Sequence, residues 1–226
     1  VPVMFFNPSI KNHRINSYKQ KIEQLKKLGL DFLIVIRFNR NFSLYSPKYF
    51  ISEVIHKKTK SKYLYVSKNF KFGFRRKGSI QTLKKFENLY NYKCIITKPL
   101  KKGKKIISST LIRRKISLGK IKEANVLLNR KWIIAGKVIK GQKRGRKIGF
   151  RTCNIKMTKY IIPRLGVYAI NIKGVNFNKR GIANIGYRPT FNGLNLLLEV
   201  NIFGINKNLY NKELIIKFIK FIRSEK

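Results

Sequence analysis

The sequence predicts two successive architectures: an open α/β sheet in the first half of the chain and an antiparallel barrel in the second. In the first half, apolar residues at helical spacing alternate with short apolar runs, which is the element order of α/β folds. From Trp132 onward, short alternating segments are separated by turn residues, as in antiparallel barrels. With 226 residues, 43% of them apolar, the chain can bury two cores. We expect two domains, residues 1–128 and 129–226.

Cap residues and apolar runs set the elements of the first half. Ser17 is suited to begin a helix, and Gly29 stands where the left-handed residue that ends it is expected. Residues 32–38 are almost continuously apolar, which predicts a parallel strand covered on both faces. Ser46 and Pro47 then resemble the cap and first residue of another helix. The remaining predictions are strands at 63–66 and 94–97 and helices at 80–89 and 120–128.

A further helix start in the first half carries polar groups that could hold a phosphate. Hydroxyls and exposed amides at its first turn are followed one turn later by a cation. The alternative is an ordinary capped helix, since hydroxyl caps are common. The residues concerned are Ser108, Ser109, Thr110 and Arg113.

Five short segments of the second half alternate in the manner of strands: 133–139, 167–172, 181–185, 196–203 and 214–218. In the fourth, Leu198 and Val200 share one face, while Glu199 and Asn201 share the other. Glu199 therefore points away from an aliphatic row. Spacing alone leaves two interpretations open, a solvent-facing strand carboxylate or a functional one.

Residues 141–154 have the composition of a phosphate-binding loop. Their glycines let the backbone approach polyanionic oxygens without obstruction by a Cβ atom, and Thr152 and Asn154 supply neutral oxygens at alternate positions. Together with Glu199 downstream, this loop indicates phosphoryl transfer. The candidate phosphate-binding residues are Gly141, Gly145, Arg146, Gly149, Thr152 and Asn154.

The chain is strongly basic, with 53 Lys and Arg against eight Asp and Glu and a net charge of +45. Such a field attracts polyanions, so a nucleic-acid-binding protein is a competing hypothesis. The cations are spread over every predicted element, however, and Ile, Asn, Phe and Tyr are also abundant. Drift toward AT-rich codons explains all of these together. We therefore expect nucleic acid to bind only non-specifically and small molecules to be the specific partners.

Cysteine and histidine usage excludes several classes of site. Cys94 and Cys153 fit neither a disulfide framework nor a thiolate metal site, and His13 and His56 are isolated. No apolar run has the length of a membrane span, and the first residues lack the charged flank and apolar core of a signal peptide. These features predict a cytoplasmic protein without a membrane partner; the sequence does not set its oligomeric state.

The ordered motifs resemble the bifunctional bacterial riboflavin kinase and FMN adenylyltransferase family, often called FAD synthetase. In the second half, the loop at 141–154 has the family pattern of glycines followed by threonine and asparagine. The motifs that carry the resemblance there are 141–154, 163–169, 181–191, 198–200 with 209–210, and 218–225. In the first half they are 6–8, 21–31, 70–73 and 107–113.

The resemblance implies a nucleotidyltransferase-like (Rossmann-like) α/β domain followed by a six-stranded riboflavin kinase barrel. In the barrel domain, ATP would lie over the glycine loop, Thr152 and Asn154 would help to hold Mg²⁺, and Glu199 would act as the base toward riboflavin. Arg223 and Glu225 would contact the flavin. The polar residues at 108–113 would bind nucleotide in the adenylyltransferase half.

Three substitutions distinguish the kinase motifs of this chain from the family pattern. Arg151 replaces a proline before Thr152, Cys153 replaces an alanine, and Asn201 stands where a histidine is usual. The proposed base and the metal residues are retained. The sequence alone does not give the effect of the three substitutions on ligand affinity.

The first half lacks the opening strand and the His-x-Gly-His pair with which the family binds the ATP phosphates. His13 and His56 do not have that spacing, so we expect a chain truncated at its N-terminus that makes FMN without FAD; whether its C-terminus is also truncated stays open. The alternative within the family is a catalytically weakened relative that retains flavin or nucleotide binding.

Overall fold

The computed structural model describes residues 2–140, 152–157, 160–190 and 193–225. Its helices are α1 Pro2–Phe6, α2 Tyr18–Lys26, α3 Arg40–Ser43, α4 Pro47–Tyr49, which continues as a π-helix over Phe50–Lys58, a 3₁₀ turn at Phe74–Arg76, α5 Ile80–Lys85, α6 Glu87–Tyr90, α7 Ser109–Ser117 and α8 Ile121–Leu128. Its strands are β1 Tyr63–Ser67, β2 Lys93–Thr97, β3 Lys101–Lys102, β4 Lys105–Ile106, β5 Trp132–Ile139, β6 Thr152–Lys156, β7 Gly166–Lys173, β8 Asn178–Thr190, β9 Gly193–Ile202 and β10 Glu213–Arg223.

The chain forms two compact units. One consists of Val1–Pro8 and Ile34–Ile107, and the other of Ser9–Leu33 and Ser108–Lys226. The second unit therefore contains α2, α7 and α8 as well as the barrel strands. Within the described residues, no helix is both long enough and apolar enough to cross a bilayer.

The first unit contains the α/β arrangement that the sequence predicts. β1 and β2 pair in parallel, from Tyr63 opposite Lys93 to Ser67 opposite Thr97. Helices pack against this pair around a core that includes Ile51, Leu83 and Cys94. The predicted helix at 80–89 forms as α5 and α6, which are separated at Phe86.

Local signals identified several helix ends correctly. The Ser17 hydroxyl accepts a hydrogen bond from the Gln20 amide, and the Gln20 side chain accepts one from the Ser17 amide, which forms a capping box. Gly29 has a left-handed φ of 75°. Ser46 caps α4 by accepting a hydrogen bond from the Tyr49 amide, with Pro47 as the first helical residue.

The predicted strand at 32–38 is wrong, because these residues have no regular secondary structure in the described chain. Phe32 is 86% exposed and Ile34 is 64% exposed. An apolar run becomes a strand only when neighbouring backbones satisfy its N–H and C=O groups. Among the described strands, β1 and β2 pair only with each other, so this run has no such neighbour.

The second unit is built on a closed six-stranded barrel with strand order β10-β5-β6-β9-β8-β7 and antiparallel pairing throughout. The alternating segments predicted five of these strands. β6 was missed because it is short and follows directly on the glycine-rich stretch. Apolar residues fill the interior, including Trp132 and Phe218, whose rings lie 4.7 Å apart, and Tyr168.

Asn125 joins α8 to two barrel strands through its buried side chain. Its Nδ2 donates to the Phe218 carbonyl at 2.9 Å, and its Oδ1 accepts from the Trp132 amide at 2.6 Å. The residue is 6% exposed, so water cannot replace these hydrogen bonds. Through this side chain, α8 satisfies backbone groups at the start of β5 and within β10.

We expect Asn125→Ala to destabilise the barrel by at least about 2 kcal/mol, because it leaves a buried amide and a buried carbonyl unsatisfied. Urea unfolding followed by the fluorescence of Trp132, the only tryptophan in the chain, measures this loss. Lys122→Ala, at an exposed position of the same helix, is the control. Equal unfolding midpoints for the two variants would contradict the assignment.

Candidate active site on the outer face of the barrel

Glu199 lies on the outer face of β9, as its position in the alternating pattern predicts. Its neighbours Leu198 and Val200 are fully buried in the barrel interior, which directs the intervening side chain outward. In the register of the sheet, Glu199 lies opposite Asn154 on β6 and opposite Asn184 on β8. Directly paired residues share a face, so the carboxylate stands between two asparagines on the outside of the barrel.

Arg188 on β8 binds the Glu199 carboxylate. Its Nε and Nη2 donate to Glu199 Oε2 at 3.1 Å and 2.7 Å. The hydrogen bonds to Glu199 are the main reason why the pKa of Arg188 is raised, and Glu225 adds to the effect. The guanidinium therefore stays positively charged at this site.

Glu225, which follows β10, binds the same guanidinium. Its Oε1 lies 2.5 Å from Arg188 Nη1 and accepts a hydrogen bond from Asn184 Nδ2 at 3.0 Å. Gly186 makes room for this carboxylate, because a Cβ atom there would lie 2.4 Å from both carboxylate oxygens. These contacts bind the segment that follows β10 to the outer face of β8.

Two amide oxygens beside Glu199 have no hydrogen-bond partner among the described residues. They are Oδ1 of Asn154 and Oδ1 of Asn184, and both atoms are buried. An unsatisfied buried acceptor is costly, so each oxygen is suited to receive a donor or a cation from a ligand. The described residues include no cluster of three His, Cys, Asp or Glu side chains that could hold a metal ion.

Thr152 and Asn154 stand at alternate positions of β6 and therefore share the outer face with Glu199. Thr152 is exposed and lies opposite Asn201, whereas Asn154 is 9% exposed. Asn201 occupies the face that the alternation predicts. Cys153 points the other way, and burial raises the pKa of its thiol.

The glycine loop lies outside the described residues. The structure therefore gives no account of Gly141, Gly145, Arg146 and Gly149, or of Arg151 beside Thr152. Arg223 is exposed at the end of β10, where its Nη1 donates to the Ser224 carbonyl at 3.1 Å.

The polar residues at the start of α7 form the predicted helix cap. Ser108 Oγ accepts from the Leu111 amide at 3.2 Å, and Ser109 and Thr110 are exposed. Arg113 Nε donates to the His13 carbonyl at 3.0 Å, and partial burial lowers the pKa of this guanidinium. Within the second unit, this side chain ties α7 to residues that precede α2.

Sequence reasoning assigned no role to Arg188 or Asn184. Both belong to the motif at 181–191 and, like Gly186, occupy alternate positions on one face of β8. That alternation was the available signal, and the antiparallel pairing of β8 with β9 sets this face beside Glu199.

Comparisons with known proteins match each half of the chain to a family model. Residues 128–226 match the riboflavin kinase family model, and residues 1–111 match the FAD synthetase model. The bifunctional riboflavin kinase/FMN adenylyltransferase of Buchnera aphidicola from Acyrthosiphon pisum is 37% identical over 99% of this chain and 72% of the relative. The Escherichia coli K12 and Bacillus subtilis enzymes of the same name are 32% and 36% identical, each over 94% of this chain and 68% of the relative.

A crystal structure described as a macrolide-efflux protein from Streptococcus pneumoniae has the same fold. It superposes with a TM-score of 0.83 at 30% identity, covering 94% of this chain and 68% of that one. The name macrolide-efflux protein applies to the Streptococcus pneumoniae protein, and for this chain the comparison supports only the fold. The barrel, the paired family models and the relatives together show that the chain belongs to the bifunctional riboflavin kinase/FMN adenylyltransferase family.

Proposed function

We propose that the outer face around Glu199 is the site at which this riboflavin kinase transfers the γ-phosphoryl group of ATP to riboflavin. The single observation that carries the assignment is the Glu199 carboxylate, held by Arg188 between two asparagines with unsatisfied buried oxygens. An ion-paired carboxylate beside unsatisfied oxygens suits a reaction between a hydroxyl and a polyanion. Flavin cofactor synthesis supplies that reaction, and its products are FMN and ADP.

In the proposed mechanism Glu199 is the general base. Its carboxylate accepts the proton of the ribityl 5′-hydroxyl while that oxygen forms a bond to the γ-phosphorus of ATP. The bond from the γ-phosphorus to the bridging oxygen breaks, and ADP leaves. Because both hydrogen bonds described from Arg188 go to Oε2 of Glu199, we assign proton acceptance to Oε1.

The outer face of β6 fits a magnesium ion. Asn154 offers a buried oxygen without a hydrogen-bond partner in the described chain, and Thr152 offers a hydroxyl on the same face. Mg²⁺ binds oxygen ligands and usually keeps several waters and substrate phosphates, so it needs few ligands from the protein. Here the proposed protein ligands are these two neutral oxygens. When bound, the ion would neutralise charge on the phosphates. Gly141, Gly145, Arg146 and Gly149 are proposed to contact the ATP phosphates.

Further assignments concern the flavin and the second family activity. Arg223 and Glu225, at the end of β10, are proposed to lie beside the bound flavin. Residues 1–128 correspond to the adenylyltransferase half of the family, in which Ser108, Ser109, Thr110 and Arg113 are proposed to bind nucleotide, although this chain alone is expected not to form FAD. The exposed hydroxyls at the start of α7 support this placement.

Glu199→Gln tests the base. Glutamine has nearly the same shape but cannot accept the proton, so kcat for FMN formation should fall by about 10²–10⁴-fold. The KM values for ATP and riboflavin should change little. Glu213→Gln removes an exposed carboxylate on β10 that pairs with Lys19, and it should retain wild-type turnover. Unchanged turnover of Glu199→Gln would rule out the proposed base.

Asn154→Ala tests the metal assignment. Loss of the amide oxygen should raise the Mg²⁺ concentration that gives half-maximal rate by about tenfold or more. A magnesium titration at saturating ATP and riboflavin measures the change. Asn178→Ala, an exposed asparagine on β8, is the matched control. The same magnesium requirement in both variants would remove Asn154 from the metal site.

Product separation tests the division of activities. The 226-residue chain, incubated with riboflavin, ATP and Mg²⁺, should yield FMN without FAD, because its two histidines do not form the family pair. Chromatography of the flavins after the reaction, and again after FMN is supplied directly, gives the answer. FAD in either reaction would show that other residues replace the pair. A folded protein that makes neither product would support the weakened relative.

A further inference from the structure

Arg188 contacts two carboxylates that lie far apart in the sequence. Glu199 is on β9, and Glu225 follows β10, yet the guanidinium reaches both. Each of its three nitrogens has a described acceptor: Nε and Nη2 bind Glu199, and Nη1 binds Glu225 and the Tyr187 carbonyl. The guanidinium is therefore bound on one edge by Glu199 and at Nη1 by Glu225.

The two hydrogen bonds to Glu199 restrict how its carboxylate can turn. Both end on Oε2, so rotation about the terminal side-chain bond would break both contacts. A planar guanidinium imposes this constraint through direction as well as charge, which a lysine cannot do. With Oε2 turned to Arg188, Oε1 is fixed on the other side of the carboxyl group.

Neighbouring residues on β8 also hold the Glu225 carboxylate in place beside Arg188. Asn184 donates to its Oε1, and Gly186 leaves space for both of its oxygens. The asparagine lies directly opposite Glu199 on the neighbouring strand. A side chain larger than hydrogen at residue 186 would displace Glu225 and with it the second anchor of Arg188.

We propose that Arg188 is a positioning residue for phosphoryl transfer and that Glu225 fixes it in place. Arg188 orients the base Glu199 toward the reacting hydroxyl, and Glu225 prevents the guanidinium from swinging away from the barrel. This inference rests on the proposed function of Glu199. It adds to the flavin contact assigned to Glu225 a second role, exerted through Arg188.

The competing interpretation is a surface ion pair that contributes only to stability. The side chains of Arg188, Glu199 and Glu225 are 31%, 28% and 29% exposed, and partly exposed ion pairs usually contribute little to folding. Misplacing a catalytic group by about 1 Å, in contrast, can cost about 100-fold in rate. If Arg188 positions the base, its removal should lower kcat strongly and change stability little. If it only forms a surface ion pair, its removal should leave kcat unchanged.

Arg188→Met, which keeps an unbranched apolar stem but removes the guanidinium with its charge and its donors, is the principal test. We expect kcat for FMN formation to fall by about 30–100-fold, while the KM values for ATP and riboflavin stay within about threefold and the urea midpoint hardly moves. Arg188→Lys should recover part of kcat, since it restores the charge but not the fork. Arg180→Met, an exposed arginine on the same strand, is the control and should behave as wild type. Wild-type kcat in Arg188→Met would overturn the proposal.

Glu225→Gln separates the role through Arg188 from a direct flavin contact. Loss of the anchor should lower kcat by about 3–10-fold and should add little in the Arg188→Met background, because both changes release the same guanidinium. A higher KM for riboflavin with unchanged kcat would overturn the anchoring role. This variant and Arg188→Lys also keep the proposal testable if Arg188→Met does not fold.

A double-mutant cycle with Glu199→Gln distinguishes failure of this inference from failure of the proposed function. If Arg188 acts through Glu199, Arg188→Met should reduce the residual turnover of Glu199→Gln by less than about threefold. A full additional loss would mean that Arg188 acts by itself and would overturn the positioning role. Unchanged turnover in Glu199→Gln alone would instead reject the base, whatever Arg188 does.

Discussion

The register of β9 with its two neighbours in the barrel is the constraint on which the rest of the site depends. Because side chains alternate along a strand, the register that buries Leu198 also turns Glu199 outward. The same register sets Asn154 and Asn184 on either side of the carboxylate. A slip of one residue between β9 and its neighbours would bury Glu199 among aliphatic side chains. Burial of the interior side chains thus determines which residues of these strands lie on the outer face.

The few acidic residues of this chain differ in their ion-pair partners. Only eight of its residues are acidic, and two of those lie on one arginine. The described ion pairs of Glu53, Glu123 and Glu213 are to lysines at the surface. Where lysines are so abundant, two carboxylates that share a planar guanidinium indicate a requirement for direction, which a point charge does not meet.

Elements with local chemical signals could be predicted from the sequence. The helix cap at Ser17, the left-handed Gly29 and the alternation around Glu199 depend on neighbouring residues, and the structure confirms each. The run at 32–38 was misassigned because apolarity does not reveal whether a pairing partner exists. Contact of Glu225 with Arg188 could not be predicted, since it depends on how β10 and β8 are placed by closure.

A small closed barrel also explains why the site needs ion pairs to be ordered. Six-stranded barrels are filled by their own side chains, so a ligand must bind outside or at the loops. Side chains on that outer face lack the close packing that fixes rotamers in a core. Directional hydrogen bonds can replace packing there, provided that the donor side chain is bound by acceptors from more than one segment. Arg188 meets this condition because its contacts come from two separate segments, and a displacement that relaxes one contact strains the other.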